Sequence, residues 1–363
     1  MERLRKLKNF YNRYERWLIP GALIFGFITD LLTFRLINFT TAIILLLFHL
    51  SFIGINISII NLYEAKKIAG KIFSYWRVLA PLFLQYSFGN LFSAFLIFYS
   101  HSGSFSASWP FIVVIIFLMI GNEVFRKYNT RPVIQISVYF FAIFSYTNLI
   151  FPHLLNDLSI RIFIGSGVVS LAVITFFVLI LSSLYQISTK LKQISLSVVL
   201  IFSLMNFLYF SNLIPPIPLS LKNVGIHHNV ERIDNNYVAT SEDCGNFLRC
   251  FLYHERRHIE AERQKLYLFS TVIAPAGMDF NATHEWQKFD EKERAWRTVA
   301  DIPFSVVGGR EVGFRWYSYN TVDPGYWRVN IKTERGQTIG RMNFYIVYKK
   351  GMPRTRFQIP NGY

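Results

Sequence analysis

Up to Pro215 the chain alternates long apolar runs with short basic stretches. Beyond it, apolar residues fall at every second position between turn residues. A helix needs about 20 mostly apolar residues to cross a hydrocarbon core. Seven segments reach or approach that length: residues 17–34, 39–60, 78–99, 109–124, 133–151, 162–184 and 194–214. Asp30 interrupts the first and the fourth is short, so the pattern predicts seven spans with six as the alternative count. No small-residue cleavage site follows the first apolar stretch, which reads as a signal anchor.

Period-two alternation after Pro215 predicts half-buried antiparallel strands. In GYWRVNIKT, Trp327, Val329 and Ile331 share one face, and Arg328, Asn330 and Lys332 share the other. RMNFYIVYK groups Met342, Phe344, Ile346 and Tyr348, and Thr333–Gln337 joins the two runs as a hairpin. VGFRWYSYN sets Phe314 and Trp316 against Arg315 and Tyr317. Further strands are expected over 247–253, 265–274 and 302–307. About seven short strands in about 140 residues imply an all-β, immunoglobulin-like sandwich. The expected organisation is a basic cytoplasmic N-terminus (1–16), an α-helical polytopic membrane domain (17–214) and a Pro-containing linker (215–230). An exterior β-sandwich (231–350) and a C-terminal tail (351–363) complete it.

Charge supplies the orientation. The chain of 363 residues is 52% hydrophobic and 17% charged, against roughly 25% charged in soluble domains. Arg3, Arg5, Lys6, Lys8, Arg13, Arg16, Lys66, Lys67, Lys71, Arg77, Arg126, Lys127, Arg131, Lys190 and Lys192 flank the spans on one side. Only Arg35 and Arg161 lie on the other. Basic loops stay cytoplasmic, which predicts a cytoplasmic N-terminus and an exterior, periplasmic C-terminal domain in a bacterial inner membrane. Residues 1–214 carry 17 Lys and Arg against 6 Asp and Glu, and the remainder 21 against 16. Most of the +16 excess therefore faces anionic lipid headgroups. No nucleic-acid motif accompanies it, and no nucleic-acid partner is expected. Cys244 and Cys250, the only cysteines, both fall in the exterior domain, where a disulfide closing CGNFLRC can persist.

Candidate chemistry is sparse. His254-Glu255-x-x-His258 has the spacing of a zinc-protease helix, in which two histidines on one face bind metal and the glutamate activates water. Arg256 and Arg257 between them would repel the dication, and Ala261 and Gln264 replace a metzincin Gly and third His. The segment is expected to be a charged loop or short solvated helix, leaving His254 and His258 weak metal candidates beside His227, His228 and His284. Within the spans, Asp30, Arg35, His49 and Glu123 are the polar candidates. Asp30 and Arg35 are expected to pair near the outer surface, and Gly165-Ser166-Gly167 predicts close helix packing. In the exterior domain, Arg310, Arg315 and Arg328 are candidate grips for an anion. Trp286, Trp296, Trp316 and Trp327 form a candidate aromatic platform, with Trp316 and Trp327 beside those arginines.

The motifs IPPIPLSLK, FSTVIAPAG, HEWQKFD, VVGGREVGFRWYSY and DPGYWRVNIKTERGQTIGRMNFYIV resemble the domain-of-unknown-function 2914 family over residues 210–347. The resemblance implies a bacterial envelope protein with a β-rich C-terminal domain and implies no activity. No cofactor is expected. The reading is a non-enzymatic, polytopic inner-membrane protein whose partners are the bilayer and an envelope protein, glycan or lipid headgroup. Alternatives are a transporter or channel with an accessory domain, and a metal-dependent hydrolase.

Overall fold

The computed structural model describes residues 14, 21, 24–26, 28–30, 39–101, 105–124, 132–184, 190–234, 236–242, 256–260, 263–310, 312–350 and 354–359. The chain divides into two compact units near Asn212, the second of which also takes in Ser100–Ser108.

The first unit is helical: α1 (Phe39–Glu64), α2 (Lys71–His101), α3 (Phe105–Val124), α4 (Pro132–Leu155), α5 (Ile160–Leu184) and α6 (Leu191–Phe210). The described residues among 14–30 are helical as well. Five helices, α1, α2, α4, α5 and α6, are long and apolar enough to cross a membrane. In α3 the apolar stretch is the shorter Ser108–Leu118. α4 is the central helix, with Tyr139–Leu149 almost entirely buried. Several polar side chains inside the helices return to their own backbone. Asn61 Nδ2 donates to Ile57 O at 2.7 Å and Ser166 Oγ to Ile162 O at 2.8 Å. Gly167 is the close-approach point that the Gly-Ser-Gly motif predicts. A Cβ there would lie 3.1 Å from Phe202 and 3.3 Å from Phe144, whose rings stack across it at 5.7 Å. Gly165 has no atom within 4 Å of such a Cβ.

The second unit holds eleven strands among the described residues, more than the seven expected. They are β1 (Ser220–His227), β2 (Asn229–Ile233), β3 (Asn236–Glu242), β4 (Arg256–Ile259), β5 (Gln264–Ile273) and β6 (Phe280–Asp290). β7 (Ala295–Val306), β8 (Phe314–Val322), β9 (Gly325–Thr333), β10 (Thr338–Tyr348) and β11 (Arg354–Gln358) follow. They form sheets in the orders β1-β5-β8, β4-β10-β9-β6-β7 and β11-β3-β2. All pairings are antiparallel except β4 on β10. Two stretches depart from expectation: β1 occupies the predicted linker, and β11 pairs with β3 in the predicted tail.

β5 is buried on both faces, which explains the layering. Phe269 packs with Val230, Tyr237, Ala239 and Ile359 of the β11-β3-β2 region. On the opposite face, Ser270 reaches His284 of β6. The β1-β5-β8 sheet is therefore the middle of three layers. Trp327, Val329 and Ile331 line the inner face of β9, and Met342, Phe344 and Ile346 that of β10, as the alternation predicts. Tyr348 continues that pattern to an exposed end.

Candidate functional site

The outward face of the β10-β9-β6-β7 surface carries a polar ladder. Register sets Glu285 opposite Asn330, and Asn330 opposite Arg341. The next rung sets Gln287 opposite Arg328, and Arg328 opposite Asn343. Asn330 Nδ2 donates to Glu285 Oε2 at 2.6 Å and to Gln287 Oε1 at 3.2 Å. Arg328 Nε donates to Gln287 Oε1 at 2.5 Å, and Arg341 Nε to Asn330 Oδ1 at 2.6 Å. Lys332 Nζ pairs with Glu285 at 2.5 Å, and Gln287 Nε2 donates to Thr298 of β7 at 3.0 Å. The Arg328 guanidinium lies 4.3 Å over the Trp296 ring. Beneath these long side chains Asn330 is only 1% exposed although it faces away from the core.

Three cations thus gather around Glu285, and Asp301 of β7 stands opposite it in register. Burial, then the neighbouring Arg341, pushes Arg328 down to about 10. Burial also lowers Arg341, against the pull of Glu285. Burial alone would raise Glu285, but Lys332 and Asn330 hold it below the usual carboxylate range. Such a face suits a planar or tetrahedral anion, which guanidinium groups recognise by charge-assisted hydrogen bonds.

A second cluster explains the HERRH segment. Residues 256–259 form strand β4, not a loop or helix, because their backbone pairs in parallel with β10. In a strand, successive side chains alternate sides, so the helix-face geometry of a zinc protease is not available to His258. Its Nδ1 lies 2.8 Å from Glu242 Oε2, while His228 Nε2 lies 2.9 Å from Glu242 Oε1. The His258 N–H also donates to Glu242, at 2.5 Å. Burial would raise Glu242, but these bonds pull it down to about 2. Burial, then Arg257 and His228, drives neighbouring His227 to about 4. Among the described residues no group of three or more His, Cys, Asp or Glu side chains is arranged to hold a metal.

The third cluster lies in the core. His284, 0% exposed, has Nε2 at 2.9 Å from Ser270 Oγ and Nδ1 at 2.8 Å from Ser318 Oγ. Trp286 Nε1 donates to the same Ser318 at 3.1 Å. The cluster bridges β5, β6 and β8, and its side chains are buried.

The sequence candidates do not converge. Arg328 belongs to the ladder. Arg315 lies on another face, 5.1 Å over Tyr237 of β3, and exposed Arg310 sits 5.0 Å over Phe314. Trp316 is 38% exposed and stacks on Phe304 at 5.8 Å. Trp327 is 2% exposed, and Trp286 fully buried, so neither presents a face to a ligand. Asp30 contacts Ser93, and His49 faces Asn90. Arg35, Cys244, Cys250, His254 and the side chain of Glu123 lie outside the described residues. The ladder members Gln287 and Arg341 escaped the sequence reading, although outward alternation on β6 and β10 marks them.

No curated protein matches the chain. Among solved structures it is similar to the Pseudomonas fluorescens alkylpurine DNA glycosylase AlkC bound to DNA containing an abasic site analog. That likeness has 11% identity and a TM-score of 0.20, covering 82% of this chain and 96% of that one, and it carries no inference. Residues 281–346, which run from β6 through β10 and contain the whole ladder, match the family described as Protein of unknown function (DUF2914), a shorter stretch than the 210–347 of the sequence resemblance.

Proposed function

We propose that the chain is a polytopic inner-membrane protein that displays its β-rich unit in the periplasm, where the outward ladder binds an anionic envelope partner. The observation that carries the reading is the convergence of Arg328, Arg341 and Lys332 around Glu285 on one half-buried face, where Asp301 of β7 stands opposite Glu285 in register. The bearer of the anion is a glycan carboxylate, a lipid phosphate or a protein carboxylate.

Membrane insertion is supported by the exposed sides of α5 and α6. Ile164, Val168, Phe176, Leu179, Leu196, Leu200 and Phe207 would form a large apolar patch in water. The one-sided basic loops support the orientation. An immunoglobulin-like reading of the β unit rests on strand order. With β1, β5, β6, β7, β8, β9 and β10 counted as strands one to seven, one, two and five form one sheet and seven, six, three and four the other. Trp286 on the third strand stands where such sandwiches bury a tryptophan.

The test uses the full chain in nanodiscs, with anionic phospholipid vesicles and isolated peptidoglycan fragments as probes. Replacing Arg328 and Arg341 together by glutamate should weaken capture at least tenfold, since one charge-assisted hydrogen bond contributes about 1.5–3 kcal/mol. Arg310→Glu with Arg315→Glu should leave it unchanged. Equal loss in both variants, or loss in neither, refutes the assignment.

A further inference from the structure

The helical unit holds a polar centre of its own. Asp30 is 3% exposed, and no lysine or arginine pairs with it among the described residues. Its Oδ2 is hydrogen-bonded to Ser93 Oγ of α2, and the same Ser93 Oγ lies 3.0 Å from the Asn90 carbonyl oxygen. A serine hydroxyl carries one proton. Both contacts are well made only when the second proton belongs to the carboxyl. Asp30 then donates from Oδ2–H to Ser93 Oγ, and Ser93 donates to Asn90 O. An unpaired carboxylate in the same position would leave a buried charge with a single shared donor.

One turn along α2, Asn90 Nδ2 lies 3.0 Å from His49 Nε2 on α1. Three buried polar atoms around this contact, His49 Nδ1, Asn90 Oδ1 and Ser87 Oγ, have no hydrogen-bond partner among the described residues. Native structures leave few such atoms, and they mark positions that receive a further hydrogen-bonding species. Among the described residues Tyr86 is a further titratable group at the cluster, its ring centroid 5.9 Å from that of His49.

We infer that Asp30, Ser93, Asn90 and His49 form a proton-binding site inside the helical unit, with the exchangeable proton on Asp30. Its loss leaves a carboxylate that accepts from Ser93. Ser93 then surrenders its bond to Asn90 O, so occupancy of the proton alters the hydrogen bonding of α2. The site is independent of the ladder and of the anion reading.

The experiment is pH-difference infrared spectroscopy on the full chain in liposomes, with aspartate carboxyls labelled by carbon-13. A protonated-carboxyl carbonyl band should be present in acid and disappear as pH is raised to about 9. Asp30→Asn should remove it, Ser93→Ala should shift its frequency, and Asp157→Asn should leave it alone. His49→Ala should move its midpoint by about one pH unit, a tenfold change in proton affinity. No such band in the wild type means an ionised Asp30 and overturns the inference. A band that never titrates means a permanently neutral structural acid and also overturns it. If Asp30→Asn fails to fold, the Ser93→Ala shift decides, and an unmoved band there assigns it elsewhere.

Discussion

His284 should make the β-rich unit acid-labile in a window that its own burial defines. Its ring is neutral because burial pushes it from an ordinary value of 6.5 down to about 3. Trp286 donates to Ser318, whose hydroxyl can donate to Nδ1 while Nε2–H donates to Ser270, so the neutral ring is fully satisfied. A second ring proton, on Nδ1, would face the Ser318 hydroxyl that donates to that atom. The folded-state value is depressed, so the stabilisation is complete above about 6.5 and is lost as pH falls towards about 3. One unit corresponds to 1.36 kcal/mol, so at pH 5 the loss is roughly 2 kcal/mol. For a unit of about 150 residues that lowers the melting midpoint by about 4–8 °C.

The assay is thermal unfolding of the full chain in detergent, followed by tryptophan fluorescence and by hydrogen exchange in β5, β6 and β8. The comparison is His284→Gln, which cannot titrate. It should be less stable at neutral pH by roughly 1–3 kcal/mol, the cost of ill-made buried hydrogen bonds. Its stability should then fall less steeply than the wild type's between about pH 6.5 and 4. Parallel curves would sink the reasoning, because they would mean that other groups carry the acid sensitivity.

Two further outcomes rest on local geometry. Glu242→Gln should cost roughly 1–3 kcal/mol, since it removes the charge from bonds to His228 and His258. The Glu242 contribution, present above its ordinary 4.5, should be lost only as pH falls towards about 2, which unfolding of wild type against variant would register. Gly308→Ala should cost about 1–3 kcal/mol, because its Cβ would stand 2.0 Å from Pro275 O in the turn that joins β7 to β8. An unchanged melting midpoint would refute that tightness.

Alternation made most strands legible, including the split of β9 into Trp327, Val329 and Ile331 against Arg328, Asn330 and Lys332. What it could not supply was register. The ladder depends on Arg341 standing opposite Asn330, and a register shift between Thr338 and Gly340 fixes that pairing. Another shift, at Trp286 and Gln287, sets Thr298 beside Gln287. Gly340 marks the first, since an isolated glycine inside a strand signals a bulge, but it does not give the pairing that results; no such residue marks the second. β4 was hidden for a different reason. Four residues rich in charge have little strand preference of their own, and they pair because distant β10 and Glu242 supply partners. His284 was legible in principle, since it shares the inward parity of Ala282 and Trp286, but a histidine in that series reads as a surface residue.

The ladder also separates binding from stability. A face that served packing alone would gain nothing from setting Arg341 where it disfavours the charge on Arg328. Half-exposed as they are, solvent screens most of that repulsion and leaves a cost of about 1 kcal/mol. An anion would offset it, stabilising the folded unit by about 2.7 kcal/mol when present at 100 times its Kd. Arg341→Gln keeps a donor near Asn330 Oδ1 and removes the charge. It should therefore raise the melting midpoint of the unliganded chain while weakening capture of the anionic probe. A fall in both would make Arg341 a structural residue, and the excess charge on this face would then need another explanation.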